Sequence, residues 1–269
     1  MLAVVLLAAG LPATCPAAAD DLAGRVASLT DSLGQLDVPA DPRARFARAN
    51  GYYQEGDFAR AAHLYASVLA GGQASPDLYL NLGNALLRAG ELGEAIVAYE
   101  RGRRLAPRDP DLEANLRFAR SRSVDVVPES GTSAFLERLA GLVRAISARE
   151  ALLAAALLYW SGIFIVLVAR LVPRWRGLAL RALWIWIPVL GLATALAAER
   201  AHAVWGRSMA VVVAPTVPVR TGPGAEDTAR FTLHEGTRVE LRREAAGWIE
   251  IRLTDELFGW VPAGTVLEI

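Results

Sequence analysis

Hydrophobic positions recur at helical spacing through the first half of the chain, and two stretches repeat at a constant interval. The segments ARFARANGYYQEGDFARAAHLYASVLA and LYLNLGNALLRAGELGEAIVAYERGRRLAP align with an offset of 34 residues. Small residues or large apolar residues coincide at the pairs Ala49/Gly83, Tyr52/Leu86, Gly56/Gly90, Ala61/Ala95 and Tyr65/Tyr99. This spacing predicts pairs of helices in which small residues permit close approach and glycine ends the first helix.

The period and these residue types resemble the tetratricopeptide repeat, with Pro107 at the expected end of the second copy. The resemblance implies an all-α domain, which we place at residues 20–128. Because two repeats bury little surface by themselves, the apolar stripe of DDLAGRVASLTDSLGQL and the segment DPDLEANLRFARSRS are predicted to be capping helices.

An array of this kind binds ligands on the concave face formed by the first helix of each pair. The 34-residue period assigns candidate protein-binding residues to that face, namely Asn50, Tyr53, Asn84, Leu87 and Arg88, with Asn115 and Phe118 on the capping helix. The asparagine amides can hydrogen-bond an extended peptide, and Arg88 can bind a carboxylate. Alternatively, the asparagines only tie neighbouring helices together.

Two long apolar runs follow, at residues 151–169 and 178–198. At about 1.5 Å per residue, each is long enough for a hydrocarbon core of about 30 Å. We therefore predict a two-helix transmembrane hairpin, the alternative being a helical hairpin buried in a soluble core. The amphipathic segment 129–150 is predicted to be a juxtamembrane helix, which lies on the membrane surface or extends the first span.

The loop between the runs, residues 170–177, is rich in arginine, and a further arginine starts the second run. Short arginine-rich loops stay in the cytoplasm, so four residues define the predicted topology: Arg170, Arg174, Arg176 and Arg181. Residues 1–19 combine an apolar run with Ala17-Ala18-Ala19, which is typical of a cleaved signal peptide. Both signals place the N-terminal and C-terminal domains outside the cytoplasm, on the bacterial inner (cytoplasmic) membrane.

Residues 207–269 change to short runs rich in β-branched residues between Gly, Pro and Asp turns. Five short strands predict a small closed barrel. The motifs VRTGPG, LHEGTRV, GW and GWV resemble the bacterial SH3-like domain, and this resemblance implies binding to cell-wall peptide or protein. Trp248 and Trp260 are candidate protein-binding anchors, or they fill the barrel core.

Composition excludes several classes of function. Acidic and basic residues balance at 28 each, which argues against a nucleic-acid partner, and every basic residue is arginine. The single Cys15 and three dispersed histidines offer no metal site, and no catalytic set of side chains is recognisable. We expect no metal, no cofactor and no enzymatic activity.

Overall, the sequence predicts a multidomain protein with all-α tetratricopeptide repeats, a transmembrane hairpin and an all-β SH3-like small barrel. This order, with the segment DLEANLRFARSRSVD followed by VVPE, resembles the BatE family of bacterial aerotolerance operons. The resemblance implies a scaffold working beside membrane-anchored von Willebrand A-domain proteins and a MoxR-type ATPase.

The leading hypothesis is a non-enzymatic membrane-anchored adaptor, whose repeats and SH3-like domain bind envelope proteins or extended peptide segments. The alternative is a cell-wall sensor that binds peptidoglycan peptide through the SH3-like domain. Retention of the C-terminal domain on purified sacculi favours the sensor, and its absence favours the adaptor.

Overall fold

The computed structural model describes residues 16–30, 38–125, 146, 148–205, 208–254 and 256–269. Most of the predicted signal peptide (1–19) and of the predicted juxtamembrane helix (129–150) lies outside these residues. The described chain forms two compact units. One unit holds the helical repeats together with the C-terminal sheet, and the other holds two long apolar helices.

The helical part of the first unit consists of two repeats with a helix on either side. Each repeat is an antiparallel helix pair, and the flanking helices pack against the outer members of the array. In chain order the helices are α1 (Pro16–Thr30), α2 (Pro42–Glu55), α3 (Phe58–Ala70), α4 (Pro76–Ala89), α5 (Leu92–Leu105) and α6 (Pro110–Arg120).

Helices α2, α4 and α6 begin with the same signal, repeated every 34 residues. A capping side chain from Asp41, Ser75 or Asp109 accepts a hydrogen bond from a backbone N–H of the first turn, and proline follows directly. Helices α2 and α4 both end at a glycine in the left-handed region, Gly56 (φ 83°) and Gly90 (φ 99°). Local sequence therefore fixes where the first helix of each repeat starts and stops.

The helical core is built from aliphatic side chains around buried tyrosines. Tyr65 and Tyr99 occupy equivalent seams inside the two repeats and are almost fully buried. Gly83 lies so close to the Tyr99 ring that a Cβ would be 2.5 Å from it, which explains the glycine at this helix position. Leu22 and Val26 of α1 are also fully buried, so α1 completes this core.

The C-terminal part is a seven-stranded antiparallel sheet in the order β3-β2-β6-β5-β4-β1-β7. The closed barrel of five strands expected from the sequence is not confirmed, because the sheet is open between β3 and β7. Its strands are β1 (Met209–Val212), β2 (Thr216–Arg220), β3 (Ala229–His234), β4 (Arg238–Ala245), β5 (Trp248–Arg252), β6 (Phe258–Pro262) and β7 (Val266–Glu268).

Two differences from the sequence expectation account for this. The run FTLHEGTRVELRR forms two strands, because Glu235 and Gly236 (φ 86°) turn the chain between β3 and β4. An additional strand, β7, pairs with β1 at the sheet edge. Helices of the repeat domain contact β7, so this edge is covered by helix rather than by β3.

Strand β1 is buried on both faces. Ala210 and Val212 belong to the core of the sheet, whereas Val211 and Val213 join the core of the helical repeats, as do Leu267 and Ile269. An uninterrupted apolar strand is what this double burial requires, and residues 210–213 read Ala-Val-Val-Val.

The second unit is a helical hairpin of α7 (Ala148–Leu171) and α8 (Arg176–Trp205), joined by a 3₁₀ turn at Pro173–Trp175. The segments Glu150–Leu171 and Pro173–Glu199 are long and apolar enough to cross a membrane. The Trp186 ring packs directly on Gly162, and its Nε1 donates to Ser161 Oγ at 3.0 Å. This contact ties the two helices together near their midpoints.

Candidate interaction surfaces and the repeat–sheet junction

Asn50 and Asn84 lie at equivalent positions, and each accepts a hydrogen bond from the buried tyrosine of its own repeat. Tyr65 Oη donates to Asn50 Oδ1 at 2.5 Å, and Tyr99 Oη donates to Asn84 Oδ1 at 2.8 Å. Burial raises the pKa of Tyr65 to about 12 and also raises the pKa of Tyr99, so both hydroxyls stay protonated and donate. The asparagines thus join the two helices of each repeat, while their role in ligand binding stays a prediction.

The structure brings Tyr53 and Arg88 together around one unforeseen ring, that of Phe58. Tyr53 packs edge-on against it with ring centroids 5.3 Å apart, and the Arg88 guanidinium stacks 4.8 Å from its centroid. Leu87 is half-buried against the helical core. The three residues Tyr53, Phe58 and Arg88 form a small aromatic and cationic surface where α2, α3 and α4 meet.

Asn115 is not part of that surface. It lies on α6, where its Nδ2 donates to the backbone oxygen of Asp111 at 2.9 Å. On the same helix Phe118 is 50% exposed, and the Arg122 guanidinium lies 4.6 Å from its ring centroid. The end of the array therefore carries a second aromatic and cationic pair.

Trp248 and Trp260 lie outside the buried core of the sheet, and both are only half-buried. Register pairs Trp248 with Pro262, and it pairs Trp260 with Glu250, on adjoining strands β5 and β6. Arg243, which forms a bidentate ion pair with Glu250, lies 5.9 Å from the Trp260 ring centroid. Both tryptophans thus lie outside the core of the sheet, and their role as protein-binding anchors stays a prediction.

Phe258 extends the same surface and was not singled out by the sequence. It is 45% exposed, shares the alternation of Trp260 on β6, and has the Arg230 guanidinium 4.7 Å from its ring centroid. An aromatic residue that alternates with Trp260 in the FGWVP run was the available signal.

The four topology residues Arg170, Arg174, Arg176 and Arg181 are all exposed. They lie in the last turn of α7, in the 3₁₀ turn and in the first part of α8. Their positions leave the cytoplasmic placement of the loop a prediction.

The largest feature that sequence reasoning missed is the contact between α5 and the sheet, which we call the repeat–sheet junction. Gly93 at the start of α5 lies against β1, so that a Cβ would be 2.8 Å from Val212 O and from Val213 Cα. The Gly93 N–H donates to Glu235 Oε1 at 2.7 Å. Farther along α5, the Arg101 guanidinium donates to the Glu268 backbone oxygen and to Asp21 Oδ1.

Glu100 is the electrostatic centre of this junction and is 1% exposed. Its carboxylate is bound by Arg103 at 2.7 Å and by Arg120, and Arg238 of β4 lies 3.8 Å away. Burial by itself would raise the pKa of Glu100, but these three guanidiniums outweigh it and hold the pKa below its ordinary value. Glu100 is thus a buried, ionised carboxylate shared by both parts of the unit.

A second polar link lies beyond α6. Asp125 accepts from the His234 backbone N–H at 2.7 Å and from Thr237 Oγ1 at 2.6 Å, and His234 Nδ1 lies 2.9 Å from its other oxygen. Burial would raise the pKa of Asp125, but these hydrogen bonds lower it overall. The bonds fasten the end of the repeat domain to the turn between β3 and β4.

Glu94, next to Gly93, is fully buried. Arg25 of α1 donates to its Oε1 at 3.0 Å, and its Oε2 has no hydrogen-bond partner among the described residues. Burial raises the pKa of Glu94, and the bond from Arg25 reduces that shift. The side chain therefore links α1 to α5 close to the sheet.

None of these clusters resembles a metal centre, and within the described ranges no group of three or more His, Cys, Asp and Glu side chains is placed to hold a metal ion. A search of curated proteins and a search of solved structures found no significant match to the chain. Residues 52–116, from the last turn of α2 into α6, match the family described as tetratricopeptide repeat. This match and the helix pairs of the structure show tetratricopeptide repeats in this part of the chain, and such repeats suggest a role in protein–protein interaction.

Proposed function

We propose that this chain is a non-enzymatic, membrane-anchored adaptor, with its repeats and its sheet together on the extracytoplasmic side of a bacterial inner membrane. One observation carries the proposal. The repeats and the sheet share a hydrophobic core and a buried ion cluster, although the two long apolar helices lie between them in the chain. Two segments that pack against each other must lie on the same side of a membrane, and two spans return the chain to that side.

The direction of insertion rests on the arginines of the connecting loop and on the predicted signal peptide. Loop arginines favour the cytoplasmic side, so the packed unit belongs outside. Labelling tests this directly in a Cys15→Ser background with single cysteines at the exposed positions Gln54, Arg174 and Glu244. A membrane-impermeant maleimide is expected to label Gln54→Cys and Glu244→Cys in intact spheroplasts, and Arg174→Cys only after the membrane is opened.

Labelling of Arg174→Cys in intact spheroplasts would show that the orientation is the reverse of the one proposed. Opposite accessibility of Gln54→Cys and Glu244→Cys would remove the adaptor proposal altogether, because the repeats and the sheet would then lie on different sides. The three cysteine variants therefore distinguish a reversed membrane orientation from repeats and sheet that lie on opposite sides of the membrane.

Partner binding is assigned to two of the aromatic and cationic surfaces, the one around Phe58 with Arg88 and the one around Trp248 with Trp260. Photocrosslinkers at Arg88 and Trp248 are expected to capture envelope proteins in cells, whereas one at the exposed Arg117 serves as a surface control. The resemblance to the BatE family makes membrane-anchored von Willebrand A-domain proteins and a MoxR-type ATPase complex the first partners to examine. Capture no greater than at Arg117 would count against both surfaces.

A second candidate function is supported by the outward position of the two tryptophans. In that alternative the sheet, an SH3-like domain by resemblance, binds peptidoglycan peptide and the protein acts as a cell-wall sensor. Because Val211, Val213 and Leu267 are buried by the helices, the experiment needs the full chain in detergent rather than residues 207–269 alone. Retention on purified sacculi that is lost in Trp248→Ala and Trp260→Ala favours the sensor, and no retention favours the adaptor.

A further inference from the structure

A cavity of about 300 Å³ lies on the sheet where β4 begins and β5 ends, a volume at the small end of the range for ligand pockets. Strand register brings its walls together, because Glu240 of β4 pairs with Met209 of β1 on one side and with Arg252 of β5 on the other. Arg238 lies two residues before Glu240, so the two side chains share a face of the sheet. The residues that line the cavity are Met209, Arg238, Glu240, Arg252, Leu253 and Thr254.

Arg238 brings unused hydrogen-bond donors to this cavity. Within 4 Å its one carboxylate neighbour among the described residues is Glu100, and at 3.8 Å the two groups are too far apart for a hydrogen bond. Glu100 is itself bound by Arg103 and Arg120. In the described part of the chain the Arg238 guanidinium therefore forms no hydrogen bond, although only 43% of its side chain is exposed. Burial lowers its pKa against the opposing effect of Glu100, and a second bound anion would offset that burial.

Two other charged groups of the lining are bound to each other. Glu240 accepts from the Arg252 guanidinium at 2.6 Å, and Arg242 lies 3.4 Å from its second oxygen. Thr254 contributes a further donor, because its Oγ1 accepts from the Leu257 N–H at 3.1 Å and its hydroxyl hydrogen is left for a ligand. Apart from the Glu240–Arg252 ion pair, the cavity therefore offers a ligand hydrogen-bond donors, one of them a guanidinium.

We propose that this cavity binds the C-terminal residue of a partner protein, with the terminal carboxylate on Arg238. Guanidinium and carboxylate form two parallel charge-assisted hydrogen bonds, and the Thr254 hydroxyl donates a third. The last residue of a chain also carries an N–H close to its carboxylate, and the oxygens of Glu240 have lone pairs left to accept from it. An apolar terminal side chain packs against Met209.

The same lining disfavours other anions. Glu240 repels a phosphate that carries two negative charges more strongly than a carboxylate that carries one. A carboxylate of an Asp or Glu side chain lies farther from the backbone N–H of its own residue, and a cavity of about 300 Å³ has little room for chain on both sides of that residue. The ligand that fits best is therefore the end of a chain.

This site deepens the adaptor function proposed above by naming the part of a partner that is bound, and it rests on that function only for the identity of the partner. Binding of a short peptide requires neither the membrane orientation nor the aromatic surfaces. Failure of the peptide titration therefore leaves the adaptor to be judged by crosslinking from Arg88 and Trp248. Failure of that crosslinking leaves the titration interpretable.

The test titrates the full chain in neutral detergent with short peptides, by calorimetry at constant ionic strength. The probe is acetyl-Gly-Gly-Leu, whose single charge is the terminal carboxylate, and it is expected to bind and to raise the unfolding temperature. Two matched peptides are acetyl-Gly-Gly-Leu-amide, which has no charge, and acetyl-Gly-Glu-Gly-amide, whose single charge is on a side chain. Both should bind at least about tenfold more weakly, because they lack the charge-assisted hydrogen bonds of a terminal carboxylate.

Arg238→Gln should weaken binding of the probe at least about tenfold for the same reason. Arg117→Gln, an identical charge change on an exposed arginine of α6 outside the cavity lining, should leave it unchanged. Arg238 has no hydrogen bond to lose, and Glu100 keeps Arg103 and Arg120, so the variant is expected to fold. If it does not, the three peptides on the unmodified chain decide the question by themselves.

Tighter binding of the probe than of both matched peptides supports the site. The proposal is overturned if the probe does not bind, if either matched peptide binds as tightly, or if the two arginine variants weaken binding equally. Binding of acetate or inorganic phosphate as tight as that of the probe would also overturn it, since the cavity would then hold an adventitious ion only.

Discussion

The two tetratricopeptide repeats have the same internal construction but different neighbours. In both, the first helix starts with an N-cap residue followed by proline and ends at a glycine in the left-handed conformation. A tyrosine–asparagine hydrogen bond joins the two helices of each repeat. Outside this shared frame, α3 of the first repeat is covered by α1, whereas α5 of the second is covered by the sheet. The internal construction of a repeat is thus the same whichever element packs against it. The residues that differ between the repeats determine whether that element is a helix or the sheet.

Those positions lie on the second helix of each repeat and are read by adding 34 to the residue number. The pairs Ala59/Gly93, Ala62/Ile96, Ala66/Glu100 and Ser67/Arg101 place small residues in α3 and the contact residues of the repeat–sheet junction in α5. Glycine removes a side chain where β1 approaches, and Glu100 provides the charge for arginines on three elements. A repeat therefore acquires a specific neighbour through a few substitutions on its outer helix.

The largest effect on this difference is expected from Glu100→Ala, which gives the second repeat the alanine found at the equivalent position 66 of the first. The substitution leaves Arg103, Arg120 and Arg238 without their shared carboxylate, and loss of one partner of a buried ion pair costs about 3–5 kcal/mol. Denaturant unfolding of the detergent-solubilised chain measures the loss. Glu113→Ala, which removes the exposed partner of Arg117, should cost no more than about 0.5 kcal/mol. Equal losses in the two variants would contradict a central role for Glu100.

Acid should weaken the same contact without mutation. The pKa of Glu100 is lowered in the folded protein from an ordinary value of 4.5, so the folded state binds its proton less readily than the unfolded state. Its contribution to stability is therefore complete above about pH 4.5 and is lost as pH falls through the lower folded pKa. The difference in free energy of unfolding between the unmodified chain and Glu100→Gln, measured from pH 7 downward, should shrink below pH 4.5. A difference that stays constant to pH 3 would show that folding does not lower the pKa of Glu100.

Gly93→Ala tests the steric side of the comparison, since alanine is the residue at the equivalent position 59. Its Cβ would lie 2.8 Å from a backbone atom of Val212, the last residue of β1, and 2.8 Å from one of Val213, and backbone cannot rotate away as a side chain can. We expect a loss of about 1–3 kcal/mol from this overpacking. Gly51→Ala in α2, where the Cβ meets nothing within 4 Å, should instead stabilise the chain by up to about 1 kcal/mol. A stabilising Gly93→Ala would mean that β1 does not pack against α5.

Features that recur with the period of the repeats could be predicted from the sequence. Contacts between residues far apart in the chain could not. The 34-residue alignment contains the left-handed glycines and the tyrosine seam, and the same period extends to the capping residues Asp41 and Ser75 just before the aligned segments, because each of these features depends on neighbours within one repeat. The junction depends on contacts such as Gly93 with Glu235 and Arg101 with Glu268, which are 142 and 167 residues apart. Pattern within a helix shows only that position 93 is small and position 100 is charged. It does not identify which strand approaches them.

The sheet illustrates the same limit. Alternation and turn residues indicated strands, yet whether a sheet closes depends on the partner of each edge strand. Here β7 lies beside the repeat helices and β3 remains at the other edge, so the edge that closure would have used is covered by a different domain. The outward tryptophans follow from pairing as well, because strand register decides which residues share a face.

The smallest expected effect concerns the feature that the two repeats share, the tyrosine–asparagine hydrogen bond. Asn50→Ala and Asn84→Ala each remove the acceptor of a buried tyrosine hydroxyl, and each should cost about 1 kcal/mol. Double-mutant cycles with Tyr65→Phe and Tyr99→Phe should give similar coupling energies in the two repeats, because the bonds are equivalent by the 34-residue period. If coupling is absent while crosslinking of partners from Arg88 falls in Asn84→Ala, the asparagine serves the ligand rather than the helix pair. Coupling in both repeats with unchanged crosslinking would show that both asparagines only join the helices of their repeats. Any difference in binding between the two repeats would then depend on Phe58, Arg88 and the outer face of α5.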